Sequence, residues 1–235
     1  MRPGPGPIMI GPAGRHMCRP GPYDLRHHPT AMAHKRRLLT AAVGGVIGAA
    51  AWWRTHPSPC PYAQRFWVEA PHPLITRERL LEILAPDPGE QLLEIGPGTG
   101  YYSLPVAEKL NGGRLFIADV QQQMLDHTMR RATEAGVANI EPARADAQAL
   151  PYANGTFDGA FTVTTLGEVP DPDQALRELA RVLRPSGRLV VGELFCDPHM
   201  VTFGSLRARA ERTGFGIDRR LGGPLGYFAL LRPVR

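Results

Sequence analysis

Three glycines at alternate positions follow a short apolar run that contains an acid, in the stretch QLLEIGPGTGYYSL (residues 91–104). Gly96, Gly98 and Gly100 carry no side chain, so the backbone there can approach a ligand closely and adopt positive φ angles. A helix that begins near Tyr101 would direct free N–H groups toward a negatively charged ligand group. The pattern predicts a buried strand, a loop that cradles a cofactor, and a helix, in that order.

The spacing of the glycines separates two classes of cofactor. A dinucleotide site has the pattern G-x-G-x-x-G, and its third glycine would fall at position 101, which is Tyr101. The chain instead has G-P-G-T-G, and Glu94 precedes the first glycine by two residues. This spacing argues against a nicotinamide dehydrogenase.

The elements that must position this loop alternate between strands and helices along the chain. Helices are predicted at residues 76–86, 101–110, 121–135, 171–183 and 201–213, and strands at 91–95, 114–119, 140–144, 157–163, 188–193, 216–221 and 227–232. Strict alternation indicates an α/β fold, a Rossmann-like doubly wound, mostly parallel seven-stranded sheet with helices on both faces. Only GGPLG separates the last two strands, so the last strand is predicted to be antiparallel.

The charge of the chain is divided unevenly. Residues 1–54 carry a net charge of +7, whereas residues 55–235 carry −2. A domain at −2 lacks the concentrated positive surface of a phosphate-backbone binder, so no nucleic-acid partner is predicted. The three cysteines include no C-x-x-C pair, which favours reduced thiols and predicts no metal site.

Composition divides the chain into three segments. Residues 1–33 are rich in Pro and Gly, which predicts a disordered tail. Residues 34–56 form a predicted apolar helix flanked by basic residues, a candidate membrane anchor that is short for a spanning helix. Its basic side would remain in the cytoplasm and place the following domain outside, so a peripheral or plain helix is the alternative. Residues 57–235 are predicted to form one domain.

Four motifs in order resemble those of the class I S-adenosylmethionine-dependent methyltransferases. They are E-x-G-x-G-x-G from Glu94, Asp119 in LFIADVQQQML, Asp146 in ARADAQALPYANGTFDGAF, and the segment ALRELARVLRPSGRLVV. The resemblance is to the ubiquinone/menaquinone type, with a methyltransferase domain of the 11/25 kind, and it covers the chain from about Pro73 onward.

The resemblance implies S-adenosylmethionine as the cofactor and a role for several residues. Asp119 would accept hydrogen bonds from the ribose hydroxyls, and Val120 or Met124 would pack on the adenine. Asp146 would meet the adenine amino group, with the Ala147 backbone nearby. The cofactor-binding residues predicted in this way are Glu94, Gly96, Gly98, Gly100, Asp119, Val120, Met124, Asp146, Ala147 and Thr164.

Structural alternatives exist for the same residues. The glycines could form only a tight turn, Asp119 could cap the following helix, and Asp146 could be a turn residue. A non-catalytic S-adenosylmethionine-binding scaffold is the alternative function, although a scaffold has no need of the acids at 94, 119 and 146. A polyamine synthase shares the fold, but its paired acids would have to be Glu168 and Asp171, at a poor spacing.

In this family the methyl acceptor lies above the ends of strands four and five, under a lid from the N-terminal segment. This places the candidate catalytic residues Glu168, Glu193 and His199 near the acceptor, with a lid at residues 60–73. His199 could equally be an ordinary loop residue. Many relatives carry an aromatic or histidine pair at residues 165–166, where this chain has Thr-Leu.

The predicted function is transfer of a methyl group to a small or lipid-like acceptor by in-line displacement. The predicted location is the cytoplasm, with attachment to the cytoplasmic membrane through residues 34–56 as an option. The acceptor, the acceptor atom and the oligomeric state are left open by the sequence.

Overall fold

The computed structural model describes residues 58–64, 66 and 72–234. The predicted tail at residues 1–33 and the predicted apolar helix at residues 34–56 lie outside this part of the chain, so both stay predictions. Within the described residues, none of the helices combines the length and the apolar character that crossing a membrane requires.

Seven strands and five α-helices make up the described part of the chain. The strands are β1 (Gln91–Ile95), β2 (Arg114–Asp119), β3 (Ile140–Arg144), β4 (Phe157–Val163), β5 (Leu183–Leu194), β6 (Phe215–Gly223) and β7 (Gly226–Pro233). The helices are α1 (Arg77–Leu84), α2 (Ser103–Lys109), α3 (Gln122–Glu134), α4 (Pro172–Val182) and α5 (Phe203–Thr213), with short 3-10 helices at Tyr62–Gln64 and Leu166–Glu168.

The strands form one sheet in the order β3-β2-β1-β4-β5-β7-β6. Strands β1 to β5 pair in parallel, and β7 runs antiparallel to both β5 and β6. The predicted doubly wound sheet with an antiparallel last strand is therefore confirmed. The chain builds outward from β1 to one side and from β4 to the other, so the order reverses between β1 and β4. In open sheets of this kind, ligands bind at the carboxyl ends of the strands at such a reversal.

Hydrophobic residues cover both faces of the sheet. In β1, Leu93 packs in one buried cluster together with Leu176 of α4 and Leu206 of α5. The neighbouring Leu92 packs in the other cluster, with Val106 of α2 among its members. Side chains alternate between the faces of a strand, so this division places helices on both faces, as predicted.

Residues with known capping preferences set the helix ends. The Thr76 side chain accepts a hydrogen bond from the backbone N–H of Arg79, and Asp171 does the same for Gln174. Gly214 ends α5 with a φ of 83°. One predicted boundary is wrong, because β5 begins at Leu183 and not near residue 188. Leu183 pairs with Phe157, and a register shift at residues 184–187 accommodates the Pro-Ser-Gly segment inside the strand.

Candidate functional site

The glycine loop follows β1 at the reversal of strand order. Gly96, Gly98 and Gly100 all have positive φ, at 68°, 54° and 80°. Side chains of α3 hold the carbonyl groups of the loop, since the Thr128 hydroxyl donates to the oxygen of Gly98 (3.0 Å) and the Arg131 guanidinium donates to that of Thr99 (2.7 Å). The loop is thus fixed from outside and offers an open inner face.

Gly96 is also a point of close approach. A Cβ atom built on Gly96 would lie 2.4 Å from the side chain of Thr165, which follows β4. The Thr165 hydroxyl donates to the carbonyl of Val163 at 3.0 Å, which keeps the side chain in that place. The missing side chain of Gly96 therefore makes room for Thr165 as well as for a ligand.

A cavity of ≈ 240 Å³ opens beside the loop at the ends of β1, β2 and β4. We call it the cofactor cavity. Eight of the ten residues predicted to bind the cofactor line it, namely Gly96, Gly98, Asp119, Val120, Met124, Asp146, Ala147 and Thr164. Glu94 and Gly100 do not line it.

Asp119 ends β2 with a half-buried carboxyl group. Its Oδ1 accepts a hydrogen bond from the backbone N–H of Gln121 at 2.8 Å, directly before α3. Burial raises the pKa of Asp119 to about 6, against the hydrogen bonds from the backbone at Gln121 and Val120. The turn role and the ligand role are compatible here, because one oxygen suffices for the turn and the other remains for a donor.

Asp146 is exposed at the rim of the same cavity. Its Oδ1 accepts from the backbone N–H of Gln148 at 2.8 Å, and the Gln148 side-chain amide also donates to the carboxylate. The turn role that the sequence allowed is therefore present. Contact with the adenine stays a prediction for Asp146.

Glu94 lies beneath the loop with 2% of its surface exposed. Its Oε2 accepts a hydrogen bond of 2.5 Å from the Ser103 hydroxyl at the start of α2. Burial is the largest influence on Glu94, and it raises the pKa to about 8 even though the Ser103 hydrogen bond favours the charged form. Glu94 joins β1 to α2 and so shapes the loop, whereas its predicted contact with the cofactor stays a prediction.

A second cavity of ≈ 470 Å³ adjoins the cofactor cavity. The two share several lining residues, including Cys60, Gly96, Thr164 and Glu168. We call the larger one the second cavity; His72, Tyr101, Asp197 and His199 line it and do not line the first.

Residues 58–61 cross this region and form a strap. The Cys60 backbone N–H donates to Oε2 of Glu168 at 3.2 Å, and the Cys60 carbonyl accepts from the Gln121 side chain at 3.0 Å. The peptide groups of Cys60 thus connect the segment after β2 with the segment after β4. Within the predicted lid, Trp67 lies outside the described residues and Phe66 is 69% exposed.

Glu168 stands between the two cavities at the end of the second 3-10 helix. Burial raises the pKa of Glu168 to about 8, opposed by the hydrogen bond from Cys60 and reinforced by the nearby carboxylates of Asp197 and Asp119. Its Oε2 accepts from Cys60, and no described residue donates to its Oε1. A carboxyl group with such a pKa can take up or release a proton near neutral pH.

The two other candidate catalytic residues differ in position. Glu193 is fully buried and lines neither cavity; its Oε2 accepts from the backbone N–H of Val201 at 3.1 Å. The Tyr227 hydroxyl donates to the carbonyl of the same Val201 at 2.6 Å, so both side chains hold the end of the loop at residues 195–201. His199 lies in that loop and lines the second cavity. A catalytic role stays a prediction for both Glu193 and His199.

The sequence reading did not single out Asp197. Its Oδ1 accepts from the backbone N–H of His199 at 2.8 Å, and its Oδ2 is buried without a hydrogen-bond partner. Burial raises the pKa of Asp197, although the His199 backbone and ring act in the opposite direction. The only signal in the sequence was an acid a few residues beyond β5, in the segment GELFCDPHM.

Known proteins resemble this arrangement in sequence and in fold. A family model described as a methyltransferase domain matches residues 92–187. The ubiquinone/menaquinone biosynthesis C-methyltransferase UbiE of Roseobacter denitrificans is 37% identical over 119 residues, 50% of this chain and 47% of that protein. An O-methyltransferase of Pyrenophora dematioidea is 32% identical over 142 residues, 56% of this chain and 52% of that protein. The family match over residues 92–187 supports the predicted resemblance to the class I S-adenosylmethionine-dependent methyltransferases.

Solved structures share the fold of this chain. A SAM-dependent methyltransferase from Aquifex aeolicus superposes with a TM-score of 0.68 at 20% identity, over 73% of this chain and 98% of that one. The [4+2]-cyclase SpnF superposes with a TM-score of 0.60 at 22% identity, over 68% of this chain and 80% of that one. The chain spans about half the length of the curated relatives that it matches.

The residues at the cofactor cavity fit S-adenosylmethionine, the cofactor that the resemblance implies. The positive φ of Gly96 and Gly98 leaves backbone without side chains at the cavity wall. Asp119 keeps one carboxyl oxygen for the two hydroxyls of a ribose. Buried Met124 supplies apolar surface for a ring.

Thr164 is strained at the boundary between the cavities. It is one of two described residues other than glycine with positive φ, at 50°, and its N–H donates to the Gly192 carbonyl at 2.8 Å. A left-handed conformation is costly for a β-branched residue, and such strain concentrates at functional sites. The strain holds Thr164 where both cavities meet.

Replacement of Gly96 by Ala should destabilise the domain more than the same change at Gly136. Both glycines have a φ near 70°, but a Cβ on Gly136 would meet no atom within 4 Å. We expect Gly136→Ala to cost about 1 kcal/mol from the backbone alone, and Gly96→Ala to cost about 1–3 kcal/mol more because of Thr165. Urea unfolding measures both values, and equal costs would contradict the close approach.

The strain at Thr164 predicts an unusual order of stability. Glycine tolerates positive φ, so Thr164→Gly should be more stable than Thr164→Ala by about 1 kcal/mol in urea unfolding. At Thr133, inside α3, the order should reverse by about the same amount, because glycine weakens a helix. The same order at both positions would contradict the strain.

The buried carboxyl of Glu94 predicts a dependence of stability on pH. Its pKa is about 8 in the folded protein and about 4.3 in an unfolded chain, so the folded state binds more protons between these values. The contribution of Glu94 to the free energy of unfolding is therefore complete below about pH 4 and is lost as pH rises to about 8.

Glu94→Gln removes this titration and keeps an acceptor for Ser103. From about pH 5 to about pH 8, the variant should gain roughly 2–4 kcal/mol relative to the original protein in urea unfolding. Glu211→Gln, at an exposed acid of α5, is the control and should show no such trend. A difference between Glu94→Gln and the original that stays constant over this range would contradict the buried neutral carboxyl.

Proposed function

We propose that the protein is an S-adenosylmethionine-dependent methyltransferase that methylates a small or lipid-like acceptor bound in the second cavity. The observation that carries this proposal is the contact between two cavities at the reversal of strand order. One contains the glycine loop and Asp119, the other is lined by Tyr101 and Asp197, and Thr164 and Glu168 belong to both.

Different residues of the chain have separate roles in the proposed reaction. The bound cofactor supplies a methyl group activated on a sulfonium, so the protein mainly has to bind, orient and exclude water. Asp119 and the glycine loop would fix the position of the cofactor. Thr164 would set the wall between cofactor and acceptor, and the strap at residues 58–61 would cover the junction.

Glu168 is the proposed proton acceptor for an acceptor molecule that arrives protonated. It lines both cavities, its Oε1 has no donor among the described residues, and its pKa is about 8. A base near the operating pH transfers protons most efficiently. Glu168→Gln removes this proton acceptor and should therefore lower turnover without removing cofactor affinity.

The proposal does not specify which atom of the acceptor is methylated. One relative is named a C-methyltransferase and another an O-methyltransferase, so proteins similar to this chain differ in the atom that they methylate. We place the reaction in the cytoplasm because it uses a cytosolic cofactor. Attachment to a membrane through residues 34–56 and the oligomeric state stay open.

Calorimetry on the full-length chain tests the cofactor site. S-adenosylmethionine and S-adenosylhomocysteine should both bind, and Asp119→Asn should weaken both by about tenfold or more, because a carboxylate pairs with two hydroxyls and an amide oxygen with fewer. Asn keeps an oxygen for the N–H of Gln121. Asp126→Asn, an exposed acid on α3 that accepts from Gln122, is the matched control and should bind as the original does.

A turnover assay then separates an enzyme from a scaffold. Formation of S-adenosylhomocysteine in the presence of candidate acceptors should be slower in Glu168→Gln, while its cofactor affinity stays within about threefold of the original. Equal cofactor affinity of Asp119→Asn and the original would contradict the site. Tight cofactor binding with no turnover of any acceptor would favour the scaffold.

A further inference from the structure

The second cavity is lined by acidic side chains without a matching basic side chain. Glu168 reaches it from the 3-10 helix after β4, and Asp197 from the loop after β5. Among the described residues that line this cavity there is no lysine and no arginine. Glu168 and Asp197 therefore line the same cavity, and no permanently charged cation lines it with them.

Each of these acids keeps one oxygen that the described protein does not satisfy. Glu168 uses Oε2 for the N–H of Cys60, and Asp197 uses Oδ1 for the N–H of His199. Oε1 of Glu168 has no donor among the described residues, and Oδ2 of Asp197 is buried without a partner. A buried oxygen without a donor is costly, so Oδ2 of Asp197 indicates that a ligand supplies a donor in this cavity.

The charged groups around the cavity do not balance the two acids. Glu193 is a third carboxyl close to both, and Asp119 is close to Glu168. The groups that can be positive are the ring of His199, which acts on Asp197, the ring of His72, and Arg77. Arg77 stacks on the Tyr101 ring at 3.9 Å and does not line the cavity.

The cofactor balances only part of this charge. S-adenosylmethionine brings one sulfonium, and its amino and carboxylate groups cancel each other. Burial raises the pKa of both carboxyl groups, and when both are ionised the sulfonium can compensate only one of them. An acceptor with a positive charge would remove that deficit, whereas an anionic acceptor would increase it.

We propose that the acceptor bound in the second cavity carries a protonated amine that is held between Glu168 and Asp197. The inference rests on the proposed function and specifies the acceptor of the same site. An ammonium group offers three donors, enough for both free oxygens. Tyr101 and Leu194 line the same cavity and provide aromatic and apolar surface for the rest of a small molecule.

Three probes of similar size and different charge test this inference. Tyramine carries a cation, 4-ethylphenol is neutral, and 3-(4-hydroxyphenyl)propionate carries an anion. Each is titrated by calorimetry into the full-length chain saturated with S-adenosylhomocysteine. We expect tyramine to bind about tenfold more tightly than 4-ethylphenol, and the anion to bind more weakly than either.

Variants of the two acids identify the source of the preference. Asp197→Asn and Glu168→Gln keep the acceptors for His199 and Cys60 and remove the charges, so each should reduce the preference for tyramine by about threefold or more. Glu211→Gln should leave the preference unchanged. Equal affinities, a reversed order, no detectable tyramine binding, or a preference that both variants retain would each overturn the inference.

The titration with S-adenosylhomocysteine keeps the two proposals separate. If it binds and the charge order is absent, the amine inference fails and the proposed function stands. If it does not bind, the proposed function fails, and the charge order measured on the chain alone still decides whether the cavity selects a cation.

Discussion

The contact between Thr165 and Gly96 links the two halves of the sheet at the point where the strand order reverses. Thr165 fills the space that a side chain on Gly96 would need, and its hydroxyl is held by Val163. The preceding Thr164 has a left-handed conformation at the wall between the cavities. The shape of the glycine loop and the end of β4 thus depend on each other, and the cofactor cavity cannot be altered without moving the boundary of the second cavity.

Burial sorts the acids of the site into two groups. Glu94 and Glu193 are almost inaccessible, and each is used by a group of the protein itself, the Ser103 hydroxyl or the Val201 N–H. They hold the loops that surround the ligands. Glu168 and Asp197 line the second cavity, whereas Glu193 does not, although Oε1 of Glu193 and Oδ2 of Asp197 are both buried without a partner. The side chains best placed to meet a ligand are therefore not those that are most deeply buried.

The sequence predicted the cofactor half of the site better than the acceptor half. Strands β1 to β4 have the predicted bounds, and Gly96 and Asp119 lie where the motifs indicate. Glycines mark some of these bounds, since Gly96 follows β1 and Gly113 precedes β2. The start of β5 was wrong because a bulge absorbs the Pro-Ser-Gly signal that reads as a turn. Asp197 was missed because a single acid in a loop has no periodicity or spacing, and its significance comes from burial beside Glu168.

The residues matched by the family model explain why the cofactor half of the site was predicted better than the acceptor half. It covers residues 92–187, which include the glycine loop, Asp119 and Glu168. The strap with Cys60 lies before this range, and Asp197 and His199 lie after it. The segments that complete the second cavity are thus outside the range that the family model matches. The fold is also that of the [4+2]-cyclase SpnF, so the fold alone does not determine the chemistry. The choice of acceptor therefore has to be inferred from the charge and free oxygens of the second cavity, because the shared motifs describe only the cofactor.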